Sequence, residues 1–379
     1  MFTLSLRRVY VRFMFMQYCF RSNRITITKF TEVNNMENKI YLVTGVAGNL
    51  GSSVAARLLA DGKKVRGLVL KGDPAATRVP KEVDVFVGDV TDTESLGRFF
   101  SVPADTDVVC IHCAAIVTVN PDYSPKVYAV NVKGTQNIVD MCVSNHVLKL
   151  VHVSSTSAIP ELPGGVPITE VDRYNPDLVT GYYGKSKALG SQIVMDAVRG
   201  KNLDASIVFP TGICGPDDYA FGPVASFLME YCAGKLTAGV AGSFNAVDVR
   251  DLADAIVTCT DAGRKGEGYI LGNECVSMKQ MFHILAELTH TKEVTTILPA
   301  GAGKILGKAS DIIERITKKP QRMTSFAVYN LTRNNNFDCT KARDELHFRT
   351  RPFEESISDT IAWLAREEKI TLADGGPAA

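Results

Sequence analysis

The chain has 379 residues, 45% apolar and 22% charged, with a formal net charge of +1. That composition excludes a disordered chain, a collagen-like repeat and a coiled coil, and the charge offers no overall field to nucleic acid or a membrane. At about 150 residues per domain the length allows roughly two domains, yet the element pattern reads as one two-lobed unit.

Residues 1–35 hold Arg7, Arg8, Arg12, Arg21, Arg24 and Lys29 against one acid, Glu32, so the rest of the chain is mildly acidic. Within them Phe13–Phe20 is apolar but interrupted by Gln17, and no small-residue cleavage site follows, so a secretory signal does not fit. No run of about 20 apolar residues occurs anywhere, so no membrane span is expected. The basic, acid-poor composition fits a transit peptide. It fits better as sequence upstream of a start at Met36, because the globular pattern begins at once after it. Residues 1–35 are therefore read as an extension outside the fold, and the protein as cytoplasmic.

Lys39–Thr44 reads as a buried strand, followed by Gly45-Val-Ala-Gly-Asn-Leu-Gly51 and a helix through Leu59. Strands are expected at Lys64–Leu70, Val83–Val87 and Val108–Cys113, the last carrying Cys110-Ile-His112-Cys113. A zinc site would need a second ligand pair, and a redox CxxC should open a helix, so these are read as buried structural cysteines. Nine cysteines without framework spacing suit a reducing compartment, and no metal site is expected. A helix over Asn131–Ser144, a strand over Leu150–Val153, a helix over Tyr183–Arg199 and a strand over Ala205–Phe209 follow. Continuous apolar strands alternating with helices predict a parallel sheet covered on both faces, a doubly wound α/β fold with ligands at the carboxyl ends of the strands.

After Pro210 the rhythm breaks. Helices are expected at Phe221–Ala233, Val249–Cys259, Met278–Leu288 behind a Ser277…Gln280 capping box, and Phe353–Glu368 around Trp363. Residues 291–350 resist assignment, and the tail from Thr371 is expected to fray.

Gly45, Gly48 and Gly51 sit between a strand and a helix, the context a dinucleotide-binding turn requires. The first permits the turn, the second lets a pyrophosphate approach, and the third packs helix on strand, while the helix start supplies amide donors. At the end of the second strand an acid would bond the ribose of NAD, and a cation would tolerate the 2′-phosphate of NADP. Leu70-Lys71 lacks the acid, so the reading leans to NADP over NAD, with Asp73 left as an acid that could swing in. Asp89 is placed either to bond an adenine amine or as a turn aspartate.

Tyr183 and Lys187 lie at i and i+4 on one helix face. An ammonium near a phenol lowers its pKa toward the neutral range, as acid/base work on a carbonyl requires. The pair follows the Ser154-Ser155-Thr156 hydroxyl cluster, so both should reach one rim of the sheet. Tyr182 has only Ser186 at i+4.

Thr44-Gly-x-x-Gly-x-x-Gly51, Gly88-Asp89, His112-Cys-Ala-Ala115, Asn131-Val-x-Gly-Thr135, Val153-Ser-Ser-Thr156 and Tyr183-x-x-x-Lys187 together resemble the extended short-chain dehydrogenase/reductase superfamily. This is the NAD-dependent epimerase/dehydratase group, and the resemblance spans about residues 38–365. It implies a Rossmann domain over 36–212 with a return segment near 243–272, a smaller C-terminal substrate lobe over 213–370, and a frayed tail over 371–379. It implies Tyr183 as the acid/base and Lys187 as ribose ligand and pKa modulator. Thr156 is then the preferred hydroxyl partner, with Ser155 second. Cofactor contacts are implied at Gly45, Ala47, Gly48, Asn49, Leu50, Gly51, Lys71, Asp89, Val90, Ala114, Tyr183, Lys187 and Pro210. Asn131 either supports the site or caps a helix. A homodimer is implied by the family and not shown by these residues.

Between Pro216 and Val249 the only cation is Lys235, which provides poorly for a diphosphate. Tyr219, Phe221, Val224, Phe227, Leu228 and Met229 could line an apolar pocket or simply pack a small lobe. Phe244–Ala253 resembles the dihydroflavonol-reductase and 3β-hydroxysteroid-dehydrogenase branch, while Arg250 keeps a sugar-nucleotide substrate in play. The expected function is an NAD(P)(H)-dependent oxidoreductase acting on a ketone or secondary alcohol of a fairly apolar small molecule. The alternatives are a nucleotide-sugar epimerase or dehydratase, and a non-catalytic NADP sensor, against which the complete Tyr183/Lys187/hydroxyl set argues.

Overall fold

The computed structural model describes residues 38–318, 321 and 323–372. The extension over 1–35, and residues 373–379 of the expected tail, lie outside them.

The first lobe alternates strand and helix: β1 (Lys39–Thr44), α1 (Asn49–Ala60), β2 (Lys64–Val69), β3 (Asp84–Val87), α2 (Thr93–Phe99) and β4 (Asp107–His112). There follow α3 (Pro125–Tyr128), a π turn (Ala129–Gly134), α4 (Thr135–Ser144), β5 (Lys149–Val153), α5 (Gly181–Lys201) and β6 (Ala205–Pro210). With β10 (Gly268–Leu271) these strands form a parallel seven-stranded sheet in the order β10-β6-β5-β4-β1-β2-β3. The order reverses between β1 and β4, where a doubly wound sheet opens its ligand crevice. Continuous apolar runs explain the geometry: β5 and β6 are buried at every residue because helices cover both faces. The Rossmann-type expectation is met.

One boundary differs. The helix expected to begin at Asn131 begins at Pro125, where proline fits the first turn and the Ser124 hydroxyl accepts from the Val127 amide. Asn131 therefore lies inside a continuous helical run, in its π turn, and is not a cap.

The second lobe gathers β7 (Gly212–Cys214), α6 (Pro223–Cys232), β8 (Gly239–Val240), β9 (Ser243–Asp248), α7 (Val249–Ala262), β11 (Cys275–Ser277) and α8 (Met278–Thr289). α7 packs back on α1, so the chain returns to the first lobe before leaving it again. The unassigned stretch contains β12 (Ile297–Leu298), α9 (Ala300–Thr317), α10 (Ser325–Thr332) and α11 (Thr340–Leu346), and α12 (Phe353–Arg366) closes the lobe around Trp363. The Ser277–Gln280 capping box is formed in both directions. Among the described residues no helix is long and apolar enough to cross a membrane.

Candidate active site

The turn after β1 has the geometry its glycines suggested. Gly45 takes φ +68°, and a Cβ there would meet the Ala114 backbone at 2.9 Å. A Cβ on Gly51 would fall on the Gly45 carbonyl, so α1 can sit this close to β1 only with glycine. Gly48 starts α1 without a side-chain cap, and the first turn carries no acid. Asn49 Oδ1 is buried there with no hydrogen-bond partner, while Leu50 is buried and Ala47 half-buried. Free helix-start amides beside an unsatisfied polar atom fit the pyrophosphate of a dinucleotide.

The other predicted contacts line the same edge. Ala114 donates its amide to Thr44 Oγ1 at 3.2 Å, which joins the ends of β4 and β1 at the crevice. Lys71 is exposed just past β2. Asp73 uses Oδ1 on the Ala75 amide and caps a short 3-10 turn. Asp89 uses one oxygen on the amide and hydroxyl of Thr91, which realises the turn-aspartate reading for that oxygen. Val90 is buried, and its carbonyl accepts from Asn137. The Pro210 carbonyl, at the end of β6, accepts from Thr156 Oγ1 at 3.3 Å.

That last bond bears on the choice of hydroxyl partner. Thr156 was the preferred partner of the phenol, but its hydroxyl is buried and turned onto Pro210. Ser155 is the hydroxyl that acts on the Tyr183 phenol, favouring its ionised form, while its oxygen accepts from the Ser157 amide at 3.2 Å. The cause is the 3-10 turn at Thr156–Ala158, which starts with Ser155 in extended conformation at the strand end and folds Thr156 back. Burial pushes the Tyr183 phenol up to about 12, and the Ser155 hydroxyl opposes that shift. Lys187 is 4% exposed and donates to the Val153 carbonyl at 2.8 Å. Burial lowers its ammonium to about 8, and the Cys113 thiol works the other way. At the phenol, burial outweighs what opposes it, and the Lys187 ammonium is directed to the Val153 carbonyl. Tyr182, the neighbouring phenol, packs edge-on against Tyr123 instead.

Behind these groups lies a polar layer. His112 Nδ1 meets Thr44 Oγ1 at 2.7 Å and Nε2 meets Thr135 Oγ1 at 3.2 Å. Asn131 accepts from the Ile116 amide and donates to the Ile116 carbonyl and to Ser186 Oγ, which in turn donates to the Tyr183 carbonyl. Asn131 therefore anchors the start of the α5 segment that presents Tyr183. His152 sits 5.4 Å from His112, ring to ring, with both nitrogens buried and unpartnered. Burial holds His112 down at about 3 and His152 well below its usual value, so both rings are neutral at neutral pH. Cys113 is pushed up to about 12 by burial, as befits an inert thiol. Among the described residues no cluster of metal-ligating side chains occurs.

The second lobe bears on two open readings. Leu228 is wholly buried, and Tyr219, Phe221, Val224, Phe227 and Met229 pack against the same core as Trp363 and Phe282. Arg250 is not available to a diphosphate, because it spans the buried Asp248 at 2.7 and 2.8 Å and Asp359 at 2.7 Å. The cation that sequence reading missed is Arg333, just past α10. It is 8% exposed, with Nε and Nη2 unpartnered, 5.6 Å from the ring centres of Tyr329 and Phe337. No periodicity or motif in the unassigned stretch marks it.

Residues 41–272 match the model of the NAD-dependent epimerase/dehydratase family. The chain is 27% identical over 332 residues to sterol demethylase protein B of Methylococcus capsulatus, covering 87% of this chain and 99% of that protein. It is 25% identical over 324 residues to the 4-hydroxy-2-methyl-3-oxo-4-farnesyl-3,4-dihydroquinoline-1-oxide ketoreductase of Stigmatella aurantiaca, covering 84% and 94%. Among solved structures, that of gox2253 superposes with a TM-score of 0.76 at 27% identity, over 88% of this chain and all of that one.

Proposed function

The chain belongs to the NAD-dependent epimerase/dehydratase family and is an oxidoreductase of the extended short-chain type, and on that premise we propose that it interconverts a ketone and a secondary alcohol on a fairly apolar small molecule. The observation that supports the reading is the Lys187–Val153 bond, which brings the helix carrying Tyr183 to the strand end carrying Ser155, beside an uncapped helix start after the glycine turn. NAD(P), when bound, supplies or accepts the hydride. The turn Gly45–Gly51, Lys71, Val90, Ala114, Lys187 and Pro210 are the residues that would hold it.

In reduction Tyr183 gives its proton to the carbonyl oxygen, and Ser155 donates a hydrogen bond to the same oxygen. A phenol raised to about 12 holds its proton throughout the neutral range, the form a reductase's acid must have, but efficient transfer requires a pKa nearer neutral once substrate and cofactor are bound. Lys187, anchored on Val153, fixes where α5 meets the strand end and so where the phenol points. NADP is the favoured cofactor, since Asp73 caps its turn and Lys71 is the charged group left at the end of β2.

A second reading, a nucleotide-sugar epimerase or dehydratase, rests on Arg333. A buried guanidinium with two unpartnered nitrogens suits a diphosphate. A panel of ketones, including steroids and flavanonols, read by NADPH and NADH oxidation tests the first reading. Turnover should fall at least about 100-fold in Tyr183→Phe; activity within about threefold of the parent would sink the mechanism. Conversion of a UDP-sugar without net NAD(P)H change would select the second reading. Cofactor binding with no turnover of any compound would return the protein to the sensor class.

A further inference from the structure

Helix α9 carries its apolar side outward. Ile305, Ile312 and Ile316, at i, i+7 and i+11, are 72%, 55% and 76% exposed. Leu306 and Ile313 extend the face on one flank and are also exposed. The opposite side of the helix is the packed one: Gly303 lies against Val240, and Gly307 against Ser325. A surface helix ordinarily points such residues at the core, so this face has no partner among the described residues.

Its charges are sorted in the same way. Asp311 accepts from the Ser325 amide, and Glu314 accepts from Asn120 and the Gln321 amide, so both acids are turned to the protein. Lys304, Lys308 and Lys318 are exposed and have no carboxylate partner among the described residues. The outward face therefore pairs large aliphatics with unneutralised cations and offers no free acid.

We propose that this face of α9 seats in the plane of an anionic lipid bilayer. An apolar stripe rimmed by lysines is the composition of an interfacial helix, with the aliphatics entering the acyl boundary and the cations meeting lipid headgroups. A second copy of the chain fits less well, because a two-fold contact would set lysines against a face that has no acid to meet them. The position has a use. Glu314 and Arg315 hold Asn120 and Asp122 of the loop after β4, and Pro121 of that loop accepts the amide of Tyr182, next to Tyr183. A docked α9 would thus bring the bilayer beside the rim of the site.

The test is flotation of the full chain with phosphatidylcholine vesicles, with and without about 30% phosphatidylserine. The parent should float with the anionic vesicles and lose them at high salt. Binding should fall at least about tenfold in the combined Ile305→Ser, Ile312→Ser, Ile316→Ser variant, with NADPH binding unchanged. Should that variant fold poorly, Lys304→Glu, Lys308→Glu, Lys318→Glu should abolish anionic-vesicle binding at full NADPH affinity. No flotation of the parent would overturn the proposal. So would equal flotation of parent and variants, or an isoleucine variant that only converts a dimer to a monomer.

Discussion

The Lys187 ammonium donates to the Val153 carbonyl at 2.8 Å, two residues ahead of Ser155, whose hydroxyl acts on the Tyr183 phenol. One bond thereby ties the helix that carries the phenol to the strand end that carries its hydroxyl. The link places a charge in a dry location, where burial lowers the ammonium to about 8.

Lys187→Met should therefore separate function from stability. Folding must keep the charged lysine below about pH 8 in a site that prefers the neutral form, and that penalty fades as pH rises toward 10.5. At pH 7 the methionine variant should be more stable than the parent, by about 1–3 kcal/mol, and largely inactive. Urea melts measure the first effect and ketone turnover the second. A variant that melts earlier at pH 7 would show that the Val153 bond outweighs the burial cost.

Ser155→Ala and Thr156→Val should behave differently. The alanine removes a hydrogen bond to the reacting oxygen and should lower kcat about 100-fold with little change in melting. The valine strands the Pro210 carbonyl and should cost about 1 kcal/mol of stability, with kcat within about threefold. The opposite assignment of effects would restore Thr156 as the catalytic hydroxyl.

Acid should weaken the fold through its two buried imidazoles. His112 and His152 both titrate below 6.5 in the folded chain, so the unfolded chain binds the extra protons. The stability they contribute is present above pH 6.5 and is lost as pH falls below it. His152→Leu removes a ring with no hydrogen bonds. It should raise the melting temperature and flatten the loss between about pH 6.5 and 4.5. An unchanged acid slope would place the sensitivity elsewhere.

Arg250→Met should destabilise without altering substrate affinity. Burial pushes the wholly buried Asp248 carboxyl up, but the two-point contact with Arg250 wins and holds it below its usual range. Loss of that partner should cost about 3 kcal/mol. KM for any accepted ketone should stay within about twofold; a selective rise for a phosphorylated substrate would mean that Arg250 does reach ligand.

Lys71→Glu should shift cofactor preference. Like charge at the end of β2 should weaken NADPH at least about tenfold and leave NADH within about threefold, measured by fluorescence titration. Equal effects on both cofactors would mean that Lys71 does not meet the 2′-phosphate.

The parts written locally were legible. The glycine turn, the alternation of apolar strands with helices, the Ser277 cap and the Tyr183–Lys187 spacing each depend on residues within a few positions of one another. Chain-local sterics and periodicity decide them. The sequence thus determined the doubly wound sheet, its glycine turn and the helix face of the phenol.

What depended on distant partners was settled only by tertiary structure. Thr156 is turned away from the phenol, and Ser155 is proposed in its place, because a short turn folds the threonine onto Pro210, which is far away in sequence. Arg250 was spent on Asp248 and Asp359, and Arg333 was left buried against two aromatic rings with two nitrogens unpartnered, because packing of the second lobe chose which charges meet. The phenol rose where the spacing of Tyr183 and Lys187 predicted a fall. Spacing along a helix sets which side chains share a face, whereas the folded surroundings set how much water each one loses and therefore which protonation state it keeps.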